Sequence, residues 1–182
     1  MAKKNNDELK IVNIVGTTGL EHDIPLEKMA AALPNTEYNP EQFPGLVIRI
    51  RQPKTSALIF RSGKVVITGA KSMEEMKETI TAIKKHLEKI NVKIIVDPDI
   101  TVQNVVASGN INIDLNLNVL AVKLRNTEYE PEQFPGLVYN LDGGKATFLL
   151  FSNGKIVCTG TKGREEIEKA VEKLKENLKK VM

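Results

Sequence analysis

Residues 35–47 read NTEYNPEQFPGLV and residues 126–138 read NTEYEPEQFPGLV, so that twelve of thirteen positions agree and only Asn39 and Glu130 differ. The offset is 91 residues, and it holds well beyond this motif. Asn13-Ile14-Val15 falls on Asn104-Val105-Val106, Phe60 on Phe151, and residues 63–69 on 154–160. The chain is therefore written twice. A short leader, 1–8, precedes a first copy over 9–99 and a second over 100–182. Two copies are too few to bury the faces of a solenoid, which takes about three or more units. A pseudo-twofold pair is the expectation, offering a partner two similar half-surfaces much as a dimer offers one patch twice.

The composition of the 182 residues sets bounds without choosing a function. Hydrophobic residues make up 41 % and charged residues 27 %, a balance that supports a folded core. No apolar run approaches the roughly 20 residues that cross a bilayer, and no apolar stretch follows Lys3 and Lys4, so neither secretion nor membrane spanning is expected. Cys158 is the only cysteine, which fits a reducing intracellular compartment. A net charge of +3 permits a nucleic-acid partner without demanding one.

Periodicity outlines each copy. Residues 9–15 and 100–106 are rich in β-branched side chains and read as strands, followed by short helices over 25–33 and 116–124. Further strands are expected at 46–51, 57–60 and 64–68, matched by 137–141, 146–151 and 155–159. Short turn segments between them imply antiparallel hairpins. Long helices over 72–89 and 164–181 close the copies, and Ser72 with Glu75 reads as a capping box at the start of the first. Strand side chains alternate between faces, which puts Leu58, Phe60, Val66, Thr68, Asn13 and Val15 on one face and Leu149, Phe151, Val157, Thr159, Asn104 and Val106 on its counterpart. If the helices cover only the opposite face, this apolar one needs an outside partner. Four of the five phenylalanines are repeat-related pairs, Phe43 with Phe134 and Phe60 with Phe151. Phe43 and Phe134 lie in loops bounded by proline and glycine. On the residues alone, two readings stand open: they pin those loops to the sheet, or they form wedges for a base-pair stack.

The two NTEYxPEQFPGLV motifs, with LIFRSGKVVITGAK at 58–71 and LLFSNGKIVCTGTK at 149–162, resemble the TATA-box-binding protein family, archaeal type, from about residue 9 onward. The resemblance implies an α+β saddle, in which two pseudo-twofold repeats form one curved antiparallel ten-stranded sheet with four helices on its convex face. It implies a general transcription initiation factor that binds the TATA box in the minor groove, bends the DNA by phenylalanine intercalation, and recruits transcription factor B and, indirectly, RNA polymerase. Carried over by position, intercalation falls on Phe43, Phe60, Phe134 and Phe151. Minor-groove contact falls on Asn13, Val15, Val66, Thr68, Asn104, Val106, Val157 and Thr159, with Leu58 and Leu149 on the same faces. Phosphate contact falls on Arg49, Arg51, Lys54, Lys64 and Lys71, and on Lys145, Lys155 and Lys162. Asn140 and Asp142 replace the two arginines in the second copy, where a weaker phosphate grip is expected. Glu130, Glu132 and Gln133 match the docking loop for transcription factor B. A homodimer without DNA, and a cytoplasmic location at the archaeal nucleoid (nuclear in a eukaryote), complete the expectation.

Other readings are weaker. His22 and His86 lack repeat partners and ligand-like spacing, and no nucleophile triad is visible, so neither an enzyme nor a bound metal or cofactor is expected. Ser62-Gly63-Lys64 lacks the upstream glycine of a phosphate loop and reads as a hairpin turn. A protein-interaction scaffold using the apolar face is the alternative.

Overall fold

The strands form where apolar residues alternate with a period of two, and the helices where the period lengthens to that of a helical turn. The computed structural model describes residues 9–141 and 143–182; the expected leader 1–8 and Asp142 lie outside them. The first copy runs β1 (Lys10–Gly19), α1 (Leu26–Ala32), β2 (Thr36–Glu37), β3 (Leu46–Ile50), β4 (Thr55–Ile59), β5 (Lys64–Ala70) and α2 (Met73–Glu88). The second repeats it as β6 (Thr101–Asn110), α3 (Leu117–Lys123), β7 (Thr127–Glu128), β8 (Leu137–Asn140), β9 (Thr147–Leu150), β10 (Lys155–Thr161) and α4 (Arg164–Val181). Two units emerge, one of Asn13–Gln103 and one of Asn104–Met182 with residues 9–12. Strand order is β2-β3-β4-β5-β1 in the first copy and β6-β10-β9-β8-β7 in the second. All pairings within each are antiparallel.

In each unit one sheet face is dry. Ile14, Leu46, Ile48, Ala57, Ile59, Val65 and Ile67 are buried together with Leu26 and Met29 of α1 and Met76, Ile80, Ile83 and Leu87 of α2. Gly16 in β1 leaves room for α2, because a Cβ there would overlap the Met76 side chain. The second core gains volume across one pair. Ile48 opposite Ala57 becomes Tyr139 opposite Phe148, both aromatics fully buried. The Tyr139 hydroxyl accepts a hydrogen bond from Asn177 Nδ2 at 2.8 Å, so its burial carries no unsatisfied polar group. Cys158 takes the place of Ile67 as a buried apolar filler, and burial raises its thiol pKa to about 11. Its thiol is protonated at neutral pH. Native protein at pH 8 is therefore expected to resist iodoacetamide, with labelling only on unfolding; rapid labelling of the folded chain would contradict this.

The structure departs from the periodicity reading in particulars. β1 and β6 continue four residues past the expected ends, to Gly19 and Asn110, because residues 16–19 pair with β5 and 107–110 with β10. The strands β2 and β7, two residues each, are too short to show a period of two. Ser72 caps α2 by accepting from Glu75 N at 3.1 Å, but the Glu75 carboxylate accepts from Lys71 N instead of closing a box on Ser72. Gly63 sits at φ +94 in the β4–β5 turn, where Phe60 N donates to Lys64 O, which makes Ser62-Gly63-Lys64 a hairpin turn. A Cβ on Gly63 would stand 2.5 Å from the His22 carbonyl. Gly63→Ala is expected to lose about 1–3 kcal/mol in denaturant unfolding; a loss under about 0.5 kcal/mol would contradict the strain assignment.

Candidate nucleic-acid interface

The opposite sheet face is the one the helices leave bare. In the first unit Val47 of β3, Leu58 of β4, Val66 of β5 and Thr17 of β1 stand in one cross-strand row. The second unit repeats the row with Val138, Leu149, Val157 and Ser108. A second row holds Arg49, Ser56 and Thr68, repeated as Asn140, Thr147 and Thr159. Except for the exposed Arg49 and Asn140, these side chains are half-buried, whereas Leu46, Ile48, Ala57, Ile59, Val65 and Ile67, alternating with them, are fully buried. Val47, Val138, Ser56, Thr147, Thr17 and Ser108 were not singled out from the sequence. The alternation counted from Leu46, joined to the hairpin register, carries the signal that finds them.

A bulge fixes the polar centre of each face. The β1–β5 register shifts between Ile14 and Gly16, where Gly69 adopts φ +90; β10 does the same with Gly160 at φ +88. The freed N–H of Gly69 donates to Asn13 Oδ1 at 2.6 Å, and that of Gly160 to Asn104 Oδ1 at 2.8 Å. With its oxygen held by a backbone donor, each amide turns its Nδ2 toward the threonine hydroxyl. Asn13 Nδ2 lies 3.4 Å from Thr68 Oγ1, and Asn104 Nδ2 lies 3.0 Å from Thr159 Oγ1. Each half thus presents amide and hydroxyl donors amid valine and leucine, a surface suited to a row of acceptors with no donor in it.

Aromatic pairs flank these rows. Phe43 meets Phe60 edge to face, with ring centroids 5.9 Å apart and planes at 69°, and Phe134 meets Phe151 at 5.9 Å and 72°. Phe43 remains 43 % exposed and Phe134 42 %. The contact anchors each loop ring to its partner, while its outer side stays open. Both loops turn alike: Gln42 N and Phe43 N reach Asn39 O, and Gln133 N and Phe134 N reach Glu130 O. The one sequence mismatch therefore leaves the backbone alone and changes only charge. Gly45 and Gly136 make room for the rings, since a Cβ at either would stand 2.8 Å from the loop phenylalanine and 3.1 Å from its partner. Gly45→Ala is expected to swing the Phe43 ring out of its edge contact, seen as loss of its ring-current shifts in NMR; unchanged shifts would refute the packing role.

The expected cations distribute unequally. Arg49, Arg51, Lys54 and Lys71 line one cleft of about 760 Å³ with Ser56, Thr68 and Gly69. Arg49 is held by Glu37 at 3.3 Å, an exposed pair worth about 0–1 kcal/mol and easily exchanged for another anion. The corresponding cleft of the second unit, about 430 Å³, keeps Lys145 and gains Lys169 beside Glu166. There Asn140 accepts from the Thr147 hydroxyl at 2.9 Å. Lys64, Lys155 and Lys162 are exposed at strand ends, as are Glu130, Glu132 and Gln133 in the second loop. No group of three metal-binding side chains occurs among the described residues.

An apolar, donor-bearing sheet face, flanked in each unit by an aromatic pair with one exposed ring and given twice in one chain, has the character of a nucleic-acid-binding surface. Residues 8–90 and 99–181 each match the family described as Transcription factor TFIID (or TATA-binding protein, TBP). The chain is similar to the TATA-box-binding protein of Archaeoglobus fulgidus, 48 % identical over 174 residues that cover 94 % of this chain and 95 % of that one. It is likewise similar to that of Picrophilus torridus, 50 % identical over 177 residues and 96 % of each chain. Among solved structures, Methanococcus jannaschii TBP superposes with a TM-score of 0.88 at 49 % identity, covering 96 % of this chain and 99 % of that chain. The chain belongs to the TATA-binding protein family, and the ten antiparallel strands and four helices of its described residues are that family's fold.

Proposed function

We propose that this chain binds the TATA box through the minor groove, bends the duplex by inserting Phe43 with Phe60 at one step and Phe134 with Phe151 at another, and recruits transcription factor B and RNA polymerase. The observation that carries the reading is the bare apolar face, bordered in each unit by a half-exposed aromatic pair. A·T pairs show only acceptors in the minor groove, whereas a guanine amine would project into Val15, Leu58 and Val66, or Val106, Leu149 and Val157. The donors of Asn13, Thr68, Asn104 and Thr159 suit those acceptors. Unstacking costs a few kcal/mol per step, a figure known from this class of proteins, and the widened contact offsets it. Arg49, Arg51, Lys54, Lys64, Lys71, Lys145, Lys155 and Lys162 neutralise phosphates, with the denser grip in the first unit. The exposed carboxylates of Glu130 and Glu132, with Gln133, suit a basic docking surface on transcription factor B. On this reading the protein is not an enzyme. It works at the nucleoid in the cytoplasm, and without DNA it pairs with a second copy to cover the bare face.

A circular-permutation bending assay tests the wedges. Phe43→Ala/Phe60→Ala is expected to bend a TATA duplex much less and to lose about 2 kcal/mol or more in affinity. Equal bending would remove the assignment. Affinity that falls steeply with salt supports the DNA reading over a protein scaffold, for which binding to the duplex would be absent or insensitive to salt. Charge reversal at Glu130 and Glu132 is expected to abolish the ternary complex with transcription factor B while DNA binding persists; an intact ternary complex would refute the docking role.

A further inference from the structure

The second unit carries a surface that the first lacks and that DNA binding leaves unused. On α3, Val122 is 85 % exposed and Val119 is 39 % exposed; three residues apart, they share one helix face. The end of α3 is tied to the end of α4 by Lys123 Nζ, which donates to the Val181 carbonyl at 3.2 Å. Met182 beside it is 62 % exposed. Around this junction stand Lys123, Arg125, Lys179 and Lys180, all exposed and, among the described residues, none in an ion pair.

The fold does not require these residues. In α1 the same positions are Lys28 for Val119, Ala31 for Val122 and Ala32 for Lys123, and α1 still buries Leu26 and Met29 as α3 buries Leu117 and Leu120. Exposed valine is a poorer helix former than lysine or alanine, so local propensity works against the exchange. A patch that serves neither packing nor propensity points to a contact outside the chain.

We propose that the α3–α4 junction docks a partner protein through an acidic amphipathic segment, with its apolar side chains on Val119 and Val122 and its carboxylates on the surrounding cations. Charge complementarity selects this occupant. Duplex DNA would answer the lysines but leave the valines against hydrated phosphates. The same unit then offers two surfaces of opposite preference, since the loop with Glu130 and Glu132 favours a basic partner.

The test uses the full chain and a fluorescein-labelled synthetic helix with leucine and phenylalanine on one face and aspartate and glutamate on the other. The substitutions Val119→Lys with Val122→Ala write the first copy's residues into the second, which keeps α3 helical. They are expected to weaken peptide binding by about tenfold or more while TATA-duplex affinity holds. Lys179→Glu/Lys180→Glu is expected to weaken it similarly and to flatten its salt dependence. The proposal is overturned if the native chain binds the peptide no better than a control with serine at its apolar positions, or if the valine substitutions leave binding intact. Loss of affinity for a duplex lacking a TATA box, or of self-association in sedimentation, in place of peptide binding would also overturn it, assigning the patch to nucleic acid or to a second copy.

Discussion

Everything distinctive about this chain follows from covering a sheet with two apolar faces on one side only. A strand has two faces, and here both are apolar: Ile67 and Val65 alternate with Val66, as Cys158 and Ile156 alternate with Val157. α1 and α2, or α3 and α4, supply apolar stripes enough for one face. The other face keeps valine, leucine and phenylalanine half in water, an arrangement whose stability cost is recovered only when a partner removes that water. The same alternation that builds the core therefore builds the interface.

Duplication makes much of this legible in the sequence. A single NTEYxPEQFPGLV would be a loop motif of unknown purpose; two copies at a fixed offset establish a repeated unit, and period-two patterning inside it assigns Leu58, Phe60, Val66 and Thr68 to one face. What the sequence hid depends on backbone detail. The bulges at Gly69 and Gly160 free the N–H groups that orient Asn13 and Asn104, and no side-chain pattern encodes a freed N–H. The edge strands β2 and β7 are too short to have a period. Val47 and Val138 join the face only once hairpin register is known. Ser72 and Glu75 did announce a helix start, but the partner of the Glu75 carboxylate depends on how the preceding turn presents Lys71 N.

The differences between the copies carry as much information as the identities. The aromatic pairs match closely, at 5.9 Å in both units, and the amide clamps repeat partner for partner. At the surface the copies diverge in charge and polarity: Arg49 against Asn140, Asn39 against Glu130, Lys28 against Val119. Two units with like sheet faces and unlike surroundings can each meet similar chemistry on that face and still present different side chains to whatever binds next.

The most direct test of the account places 2-aminopurine at each successive base step of a TATA duplex and follows its fluorescence as the protein is added. Two wedges predict a rise at two separated steps only, with the rise nearest one wedge lost when that phenylalanine pair is truncated. Fluorescence that stays quenched at every step would contradict the central claim that the bare face works by prying stacked bases apart.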